Sequence, residues 1–337
     1  MAVDTYPSVK QRERGLLRRL RGDQRTQLGT LLFPGLFWLI LFFALPLVVI
    51  VLYSFLTPGP TGAVIWRFSL KSYITLFTQS VYINAYWRSL WIGVVTTVAC
   101  LLIGYPLALF VVQRSPRWRG ILLFLILIPF WTNFLVRTYA WMIILGNRGV
   151  LSTIVAATDP ETLTAPINMV LGPLRIEITT VVRVFDSFLH PILQQLFELI
   201  RLNTQGAVLI GLIYGELPFM VLPLYASLDR FDFTLLEAAS DLGANRTRAF
   251  LRVMLPLTMP GVAAGSVLVF IPTVGQFVVS DLLGGAKVDM LGNLLQRLFT
   301  RSNPPNWPLG SAMALMFMLV LTVTIIFYFR VTTEEDR

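Results

Sequence analysis

A chain of 337 residues in which 55% are hydrophobic and only 13% charged, with a mean hydropathy of +0.71, is too apolar for a soluble domain of its length. The formal net charge of +9 sits in arginine-rich stretches that flank apolar runs, a distribution that orients helices in a bilayer and does not describe a nucleic-acid-binding face. One cysteine, Cys100, and one histidine, His190, exclude an intrachain disulfide and a Cys/His zinc cluster.

Residues 1–30 form a basic tail carrying Lys10, Arg12, Arg14, Arg18, Arg19, Arg21 and Arg25. The tail is too long, and the apolar span after it too extended, for a secretory signal, so the segment reads as an attached first helix. Apolar runs of bilayer-spanning length follow at about Leu31 to Leu56, Leu90 to Val112, Ile121 to Leu145, Gly206 to Leu228, Leu257 to Ser280 and Leu309 to Phe329. The expected fold is therefore all-α, a polytopic membrane protein with six transmembrane helices in a permease domain over 31–330, closed by a short tail at 331–337. Pro34, Pro46, Pro106, Pro129, Pro218, Pro223, Pro260 and Pro272 interrupt the spans, as bends around a pathway do.

Arg114, Arg117 and Arg119 in the second loop, and Arg230, Arg246, Arg248 and Arg252 in a later one, fall on the same side as the basic tail. The positive-inside rule makes that side cytoplasmic, with both termini there. The tail could also touch anionic membrane lipid. The segment at about 150–205 is then an external insertion. Its part from Thr158 to Pro173 is polar and proline-punctuated. Its part from Ile176 to Leu202 is apolar but carries Glu177, Arg183, Asp186, His190, Glu198 and Arg201, a charge load that argues for one or two amphipathic surface helices and against a seventh span.

The cytoplasmic loop at about 229–256 holds the most distinctive segment, TLLEAASDLGANRTRAFLRVMLP from Thr234 to Pro256. Thr234 and Glu237 have capping-box spacing, Ala238 and Ala239 keep a helix slim, and Gly243 is a natural left-handed stop. Asn245 can cap a second helix ending near Pro256, leaving Glu237, Asp241, Arg246, Arg248 and Arg252 as charged contacts. An ordinary capped helical hairpin explains Thr234, Glu237 and Gly243. It explains neither the alanine pair nor the closing Leu255 and Pro256.

In order and spacing these residues resemble the EAA motif of ABC importer permeases. The resemblance continues through PFWTNFLVRTYAWMIILGNRG from Pro129 to Gly149, ELPFMVLPLYASLDRFD from Glu216 to Asp232, and LPLTMPGVAAGSVLVFIPTVGQFVVSDLLGG from Leu255 to Gly285, and is closest to spermidine/putrescine importer permeases. It implies a type I ABC importer permease fold in the bacterial inner membrane. It also implies a second, homologous permease as heterodimer partner, a dimer of ABC ATPase subunits and an external solute-binding protein. Glu237, Ala238, Ala239 and Gly243 would inherit the coupling role. The chain has no G-x-x-x-x-G-K-S/T loop and no G-x-S-x-G elbow, so it reads as a non-enzyme whose ATP is bound by partner subunits. Where such permeases tend to read GDFVIPELLGG, this chain has Gln276 at one acidic position and the shorter Asp281 at the other, which weakens attraction for a polycation.

Arg137 and Glu216 have opposite signs on adjacent spans. They are expected to pair or to line the pathway, because a lone charge at that depth costs about 2.5 to 3.5 kcal/mol. A purely structural ion pair, or snorkelling to the interface, is the competing account. Trp131, Tyr139, Trp141, Phe219, Tyr225 and Phe277 lie near these charges and could offer faces to an organic cation, or could simply form interfacial belts and core. Three other function classes stay open: a related importer for another small solute, an autonomous secondary transporter or channel, and a membrane enzyme or receptor scaffold.

Overall fold

The computed structural model describes residues 24–60, 62–157 and 191–334, with side chains described between residues 32 and 326 of that set. The basic tail up to residue 23, the segment from 158 to 190 with His190, and residues 335–337 lie outside the described residues.

Helix α1 (Gln24–Leu39) widens through a π-helical turn at Ile40–Ala44 into α2 (Leu45–Ser54). Pro46 follows that turn and has no N–H to return to it. A two-stranded antiparallel hairpin comes next, β1 (Leu56–Pro58) on β2 (Val64–Phe68), with Thr57 opposite Ile65. This departs from an all-helical expectation. Beyond the first span the residues Pro58, Gly59, Pro60 and Gly62 cannot hold a helix, Gly62 takes a left-handed φ of 81°, and the β-branched Val64 and Ile65 favour extended backbone.

The chain continues through α3 (Lys71–Thr78), α4 (Ser80–Val112), α5 (Pro116–Trp131), α6 (Phe134–Leu145) and α7 (Val150–Ala157). A helix α8 at 191–200 precedes α9 (Gln205–Asp229). Then come α10 (Thr234–Asp241), α11 (Arg246–Ala249), a π-helical turn (Phe250–Met254) leading into α12 (Leu255–Leu257), and α13 (Met259–Gly275). Further turns at Ser280–Gly284 lead to α14 (Leu291–Gln296) and α15 (Trp307–Glu334).

Among the described residues, five helical runs are long and apolar enough to cross a membrane: Leu32–Ser54, Ser80–Val112, Phe134–Ala156, Gln205–Asp229 and Trp307–Ile326. The pair Arg246–Leu257 and Met259–Gly275, bent by 68°, makes a sixth if taken as one span. Two expected spans therefore need correcting. The run expected at Ile121 to Leu145 breaks at Thr132 and Asn133, both in extended or non-helical backbone, where Asn133 caps a new helix. The run expected to reach Ser280 ends at Gly275, because Gln276 leaves the helix with ψ 135°.

The centre of the bundle is the packing of α4, α9 and α13, which buries Cys100, Tyr105, Ala108, Met220, Leu224 and Val269. Without a hydrophobic drive between helices in lipid, close backbone approach supplies the dispersion contacts that hold them. Gly261 and Gly265, one turn apart on α13, provide it: a Cβ on Gly261 would stand 2.8 Å from the Pro223 carbonyl oxygen, and one on Gly265 2.7 Å from Met220 Sδ. Around the centre lie a second cluster, with Ile92, Leu145, Leu212, Leu283 and Met290, and a third, with Leu76, Leu291, Leu309 and Met313. Phe33, Trp38, Phe42 and Phe43 on the first span remain exposed, as lipid-facing side chains do.

Gly261→Val should lower the thermal stability of the detergent-solubilised protein by about 1 to 3 kcal/mol, because its branched side chain meets backbone that cannot move aside. A fluorescence-detected melting curve that superimposes on wild type would contradict this packing.

Candidate functional site

The segment 234–257 is a helical hairpin that projects from the end of the bundle. Thr234 does not cap α10 as the capping-box reading expected. Asp232 does: Oδ1 accepts the Thr234 backbone N–H at 3.0 Å and its hydroxyl at 2.8 Å. Phe233 is already helical, so Thr234 lies inside the first turn and Glu237 is too far along to reach back. The signal was present in the sequence, since an aspartate two residues ahead of the first free amide is a strong N-cap. Those two bonds, the backbone one first, hold the Asp232 carboxyl below the ordinary carboxylate range.

At the other end of α10, Gly243 takes φ 85°, its N–H donates to the Ser240 carbonyl at 2.9 Å, and the Ala244 N–H donates to the Ala239 carbonyl at 2.9 Å. This is a Schellman closure, as Gly243 predicts. Asn245 Oδ1 then accepts the Arg248 N–H at 2.8 Å and starts α11. Glu237, Ala238, Asp241, Arg246 and Arg248 are exposed, Ala239 is half-buried, and Leu242 at the tip is 90% exposed. The second helix runs past Pro256 to Leu257 and meets α13 at the 68° bend. At that bend buried Thr258 shares a 2.8 Å hydrogen bond with Tyr105 of α4. The hairpin is thus anchored to the central helices at its base and free at its tip.

Arg119 Nη1 donates to Asp229 Oδ1 at 2.6 Å, which ties the start of α5 to the end of α9. From that pair, Trp131 and Glu216 are reached after twelve and thirteen residues of helix, about 18 and 20 Å. The break between α5 and α6 therefore lies level with Glu216, about 20 Å along the bundle from the Arg119–Asp229 pair.

Arg137 and Glu216 are neighbours at this level, but they do not pair. Arg137 Nη1 instead donates to the Pro129 carbonyl at 2.9 Å, which Thr132 Oγ1 also meets at 2.7 Å. The expectation of a direct bond fails because the helix break frees a carbonyl end that holds partial negative charge, and the guanidinium is drawn to it. Its plane also lies 5.6 and 5.8 Å from the ring centres of Phe134 and Tyr214. Glu216, only 8% exposed, is left with Oε2 unpartnered.

Of the expected aromatics, Trp141 packs edge-on against Tyr214 and Phe219 against Phe130, both at this level. Trp131 is 72% exposed and Tyr139 48%. Tyr225 packs against the central core. Gln276 and Phe277 occupy the end of α13, where Asn293 Nδ2 donates to the Phe277 carbonyl at 3.1 Å. Asp281 is met by Arg301 at 3.4 Å, beside a bidentate Arg297–Asp289 pair at 2.7 and 2.8 Å. Sequence reasoning missed Asn293, Arg297 and Arg301, since polar residues in a connecting segment carry no signal of which helix end they will close.

This geometry has counterparts. Residues 100–333 match the family model described as binding-protein-dependent transport system inner membrane component. The chain belongs to that family. It is 40% identical over 300 residues to the spermidine/putrescine transport system permease protein PotB of Haemophilus influenzae, covering 89% of this chain and 92% of the relative. It is 37% identical over 293 residues to PotB of Escherichia coli K12, covering 87% and 93%. Its fold matches a crystallised bacterial ABC transporter involved in the import of the acidic polysaccharide alginate, with TM-score 0.62 over 96% of this chain and 99% of that one at 16% identity. The protein is thus a multi-pass inner-membrane component of a binding-protein-dependent transport system, a transporter subunit by family and not a member of an enzyme class.

Asp232→Ala should speed hydrogen exchange of the Thr234 amide, whereas Glu237→Ala should leave that amide unchanged. A group with a lowered carboxyl stabilises the fold above its ordinary pKa of about 3.9 and loses that contribution as pH falls through its own lower value. Protection of the Thr234 amide should therefore fall away only on the acid side of that range. Arg137→Ala should destabilise the protein by about 1.5 to 3 kcal/mol, the worth of a hydrogen bond to a charged group. The loss should be the same in a Glu216→Gln background; a marked change of that loss would restore the direct pair.

Proposed function

We propose that this chain is a transmembrane permease subunit of an ATP-driven polyamine importer, carrying spermidine or putrescine. In this reading it crosses the membrane six times with both termini cytoplasmic. It forms the pathway with a second, homologous permease and receives solute from an external binding protein on the side of the 150–205 insertion. An ABC ATPase dimer drives it through the hairpin at 234–256.

The observation that carries the coupling role is the hairpin itself. Two capped helices present Glu237, Ala238, Asp241, Arg246 and Arg248 to solvent, while the base is bonded into the central helices through Thr258 and Tyr105. A slim, internally satisfied knob of this kind suits the groove of a partner that must push on it. Identity of 40% along nearly the whole length of a spermidine/putrescine permease supports the substrate class. The residues expected along the pathway remain Trp131, Arg137, Tyr139, Trp141, Glu216, Phe219, Tyr225, Gln276, Phe277 and Asp281. Among them, Trp141, Glu216 and Phe219 gather at the level of the helix break.

A second reading is favoured by one observation. The carboxylate that survives at Asp281 already has Arg301 3.4 Å away, and Gln276 is uncharged, so this end of the pathway offers a cation less attraction. That arrangement would suit a related importer for another small solute.

In proteoliposomes holding the complete transporter, Glu237→Ala or Gly243→Asp should leave the chain inserted and abolish most ATP-dependent uptake of radiolabelled spermidine. Gly243→Asp adds a side chain at φ 85°, a conformation L residues rarely adopt. Wild-type uptake in both variants would remove the coupling role.

A further inference from the structure

Helix α3 (Lys71–Thr78) lies between the β1–β2 hairpin and α4, and it presents three unlike sides. Ser72 and Leu76 are buried, with Tyr73 half-buried beside them. At 3.6 residues per turn, Leu70 at the helix start, Ile74 and Phe77 fall together on the opposite side, where they are 50, 61 and 63% exposed. Lys71, Thr75 and Thr78 occupy a third side, and of these Lys71 and Thr78 are exposed.

Two contacts from the buried side fix the level of this helix. The Tyr73 hydroxyl donates to Ser54 Oγ at 2.9 Å, and Ser54 is the last residue of the first span. Leu76 is buried in the cluster that holds Leu309 and Met313, in the first two turns of the last span. Helix α3 is therefore level with the ends of two spans, where hydrocarbon gives way to water. The Tyr86 hydroxyl donates to the Met313 carbonyl at 2.6 Å, which brings its neighbour Trp87, 70% exposed, to the same level.

The hairpin before α3 has the composition of that boundary. Trp66 and Phe68 are 78 and 71% exposed, and the register shift between Leu56 and Thr57 leaves Trp66 and Arg67 outside the paired positions. Arg67 and Lys71 are exposed and form no ion pair among the described residues. Tryptophan and basic side chains concentrate in the headgroup layer, where an amphipathic ring meets acyl carbon and polar groups at once and a cation meets phosphate. A protein seated on Leu70, Ile74 and Phe77 would make that stripe a second buried side. A bilayer boundary instead offers protein, acyl chain and water in three directions at one level, which is the set that α3 displays.

We infer that the β1–β2 hairpin and α3 form an interfacial platform that binds the headgroup–acyl boundary of the phospholipid bilayer. Leu70, Ile74 and Phe77 enter the upper acyl region, Trp66 and Phe68 lie at its edge, and Arg67 and Lys71 meet lipid phosphate. The platform is bonded to the first span at Ser54 and packed with the last near Leu309, so it sets the depth of both in the bilayer. This contact is independent of what the transporter carries.

The test uses the complete transporter reconstituted in liposomes of phosphatidylethanolamine and phosphatidylglycerol. A nitroxide is attached in turn to each of four single variants, Ile74→Cys, Phe77→Cys, Lys71→Cys and Thr78→Cys. Cys100 is fully buried, and the unsubstituted chain carried through the same labelling serves as the blank. Collision of each label with molecular oxygen, which concentrates among acyl chains, is compared with its collision with a water-soluble nickel chelate. Labels at positions 74 and 77 should favour oxygen and those at 71 and 78 should favour nickel, a reversal of the ratio between neighbouring residues of one short helix. All four positions are exposed, so a label at any of them displaces no packed side chain. Nickel preference at all four would put the stripe in water and overturn the platform. Labels at 74 and 77 that are immobile and shielded from both reagents would reveal a protein partner on the stripe, which overturns it equally. Oxygen preference at all four would sink α3 below the headgroups and remove the water-facing side on which the inference rests.

Discussion

A carbonyl released inside a hydrocarbon layer has no water to turn to, and the arrangement of this protein follows from how each such group is met. The break between α5 and α6 frees the Pro129 carbonyl, which takes Thr132 and Arg137, while Asn133 caps the helix that restarts by accepting the Leu135 N–H. Beyond the end of α13 the Phe277 carbonyl opens the next helical turn by accepting the Asp281 N–H and takes Asn293 as well, and Asn293 also accepts the Met290 N–H through Oδ1. Each interruption is closed by side chains reaching across from nearby segments, so the breaks are built features and not frayed ends. That demand also explains why Arg137 is spent on backbone and makes no direct hydrogen bond to Glu216 beside it.

The same logic separates what the sequence made legible from what it hid. Spans are written in composition, because about 20 apolar residues are needed to cross, and each expected run overlaps an observed helix although its ends and its continuity do not always hold. The hairpin is legible too: Gly243 and Asn245 act as their residue types dictate, since a left-handed stop and an N-cap are local properties. Thr234 was misread through a shift of two residues, where Asp232 outcompeted it for the same amide. The break at Thr132 and Asn133 was legible only in part: two polar residues interrupt the apolar run and Asn133 is an N-cap type, but Pro129 is equally compatible with a kink in one continuous span. That the hydroxyls of Thr96 and Thr273 are buried without a partner among the described residues was invisible for a different reason. A threonine in a transmembrane helix ordinarily satisfies itself on the preceding turn, as Thr97 does on the Gly93 carbonyl, and only packing decides which ones do not.

Charge is distributed along the bundle axis in a consistent way. At the hairpin end Arg119 and Asp229 join two helix termini, and at the far end Asp289 and Asp281 are matched by Arg297 and Arg301. Arg88 adds donations to the carbonyls of Lys287 and Asp289 there. These pairs are half-exposed, so each contributes little to stability on its own. Their effect is geometric: they fix the ends of helices whose middles are held by glycine-mediated packing.

The 68° bend at Thr258 makes the hairpin and α13 two arms of one elbow. The hydroxyl pair of Tyr105 and Thr258 marks the fulcrum, since it ties the corner to α4, where Phe250 of the outer arm also packs edge-on against the Tyr105 ring. The inner arm, α13, is 17 residues long, about 26 Å. A rotation of about 5° at the corner would carry its far end, with Gln276 and Phe277, sideways by about 2 Å. An angular push too small to disturb the packing around the fulcrum is thereby geared up to roughly the width of a methyl group at the opposite face of the membrane, with no loop in between to absorb it.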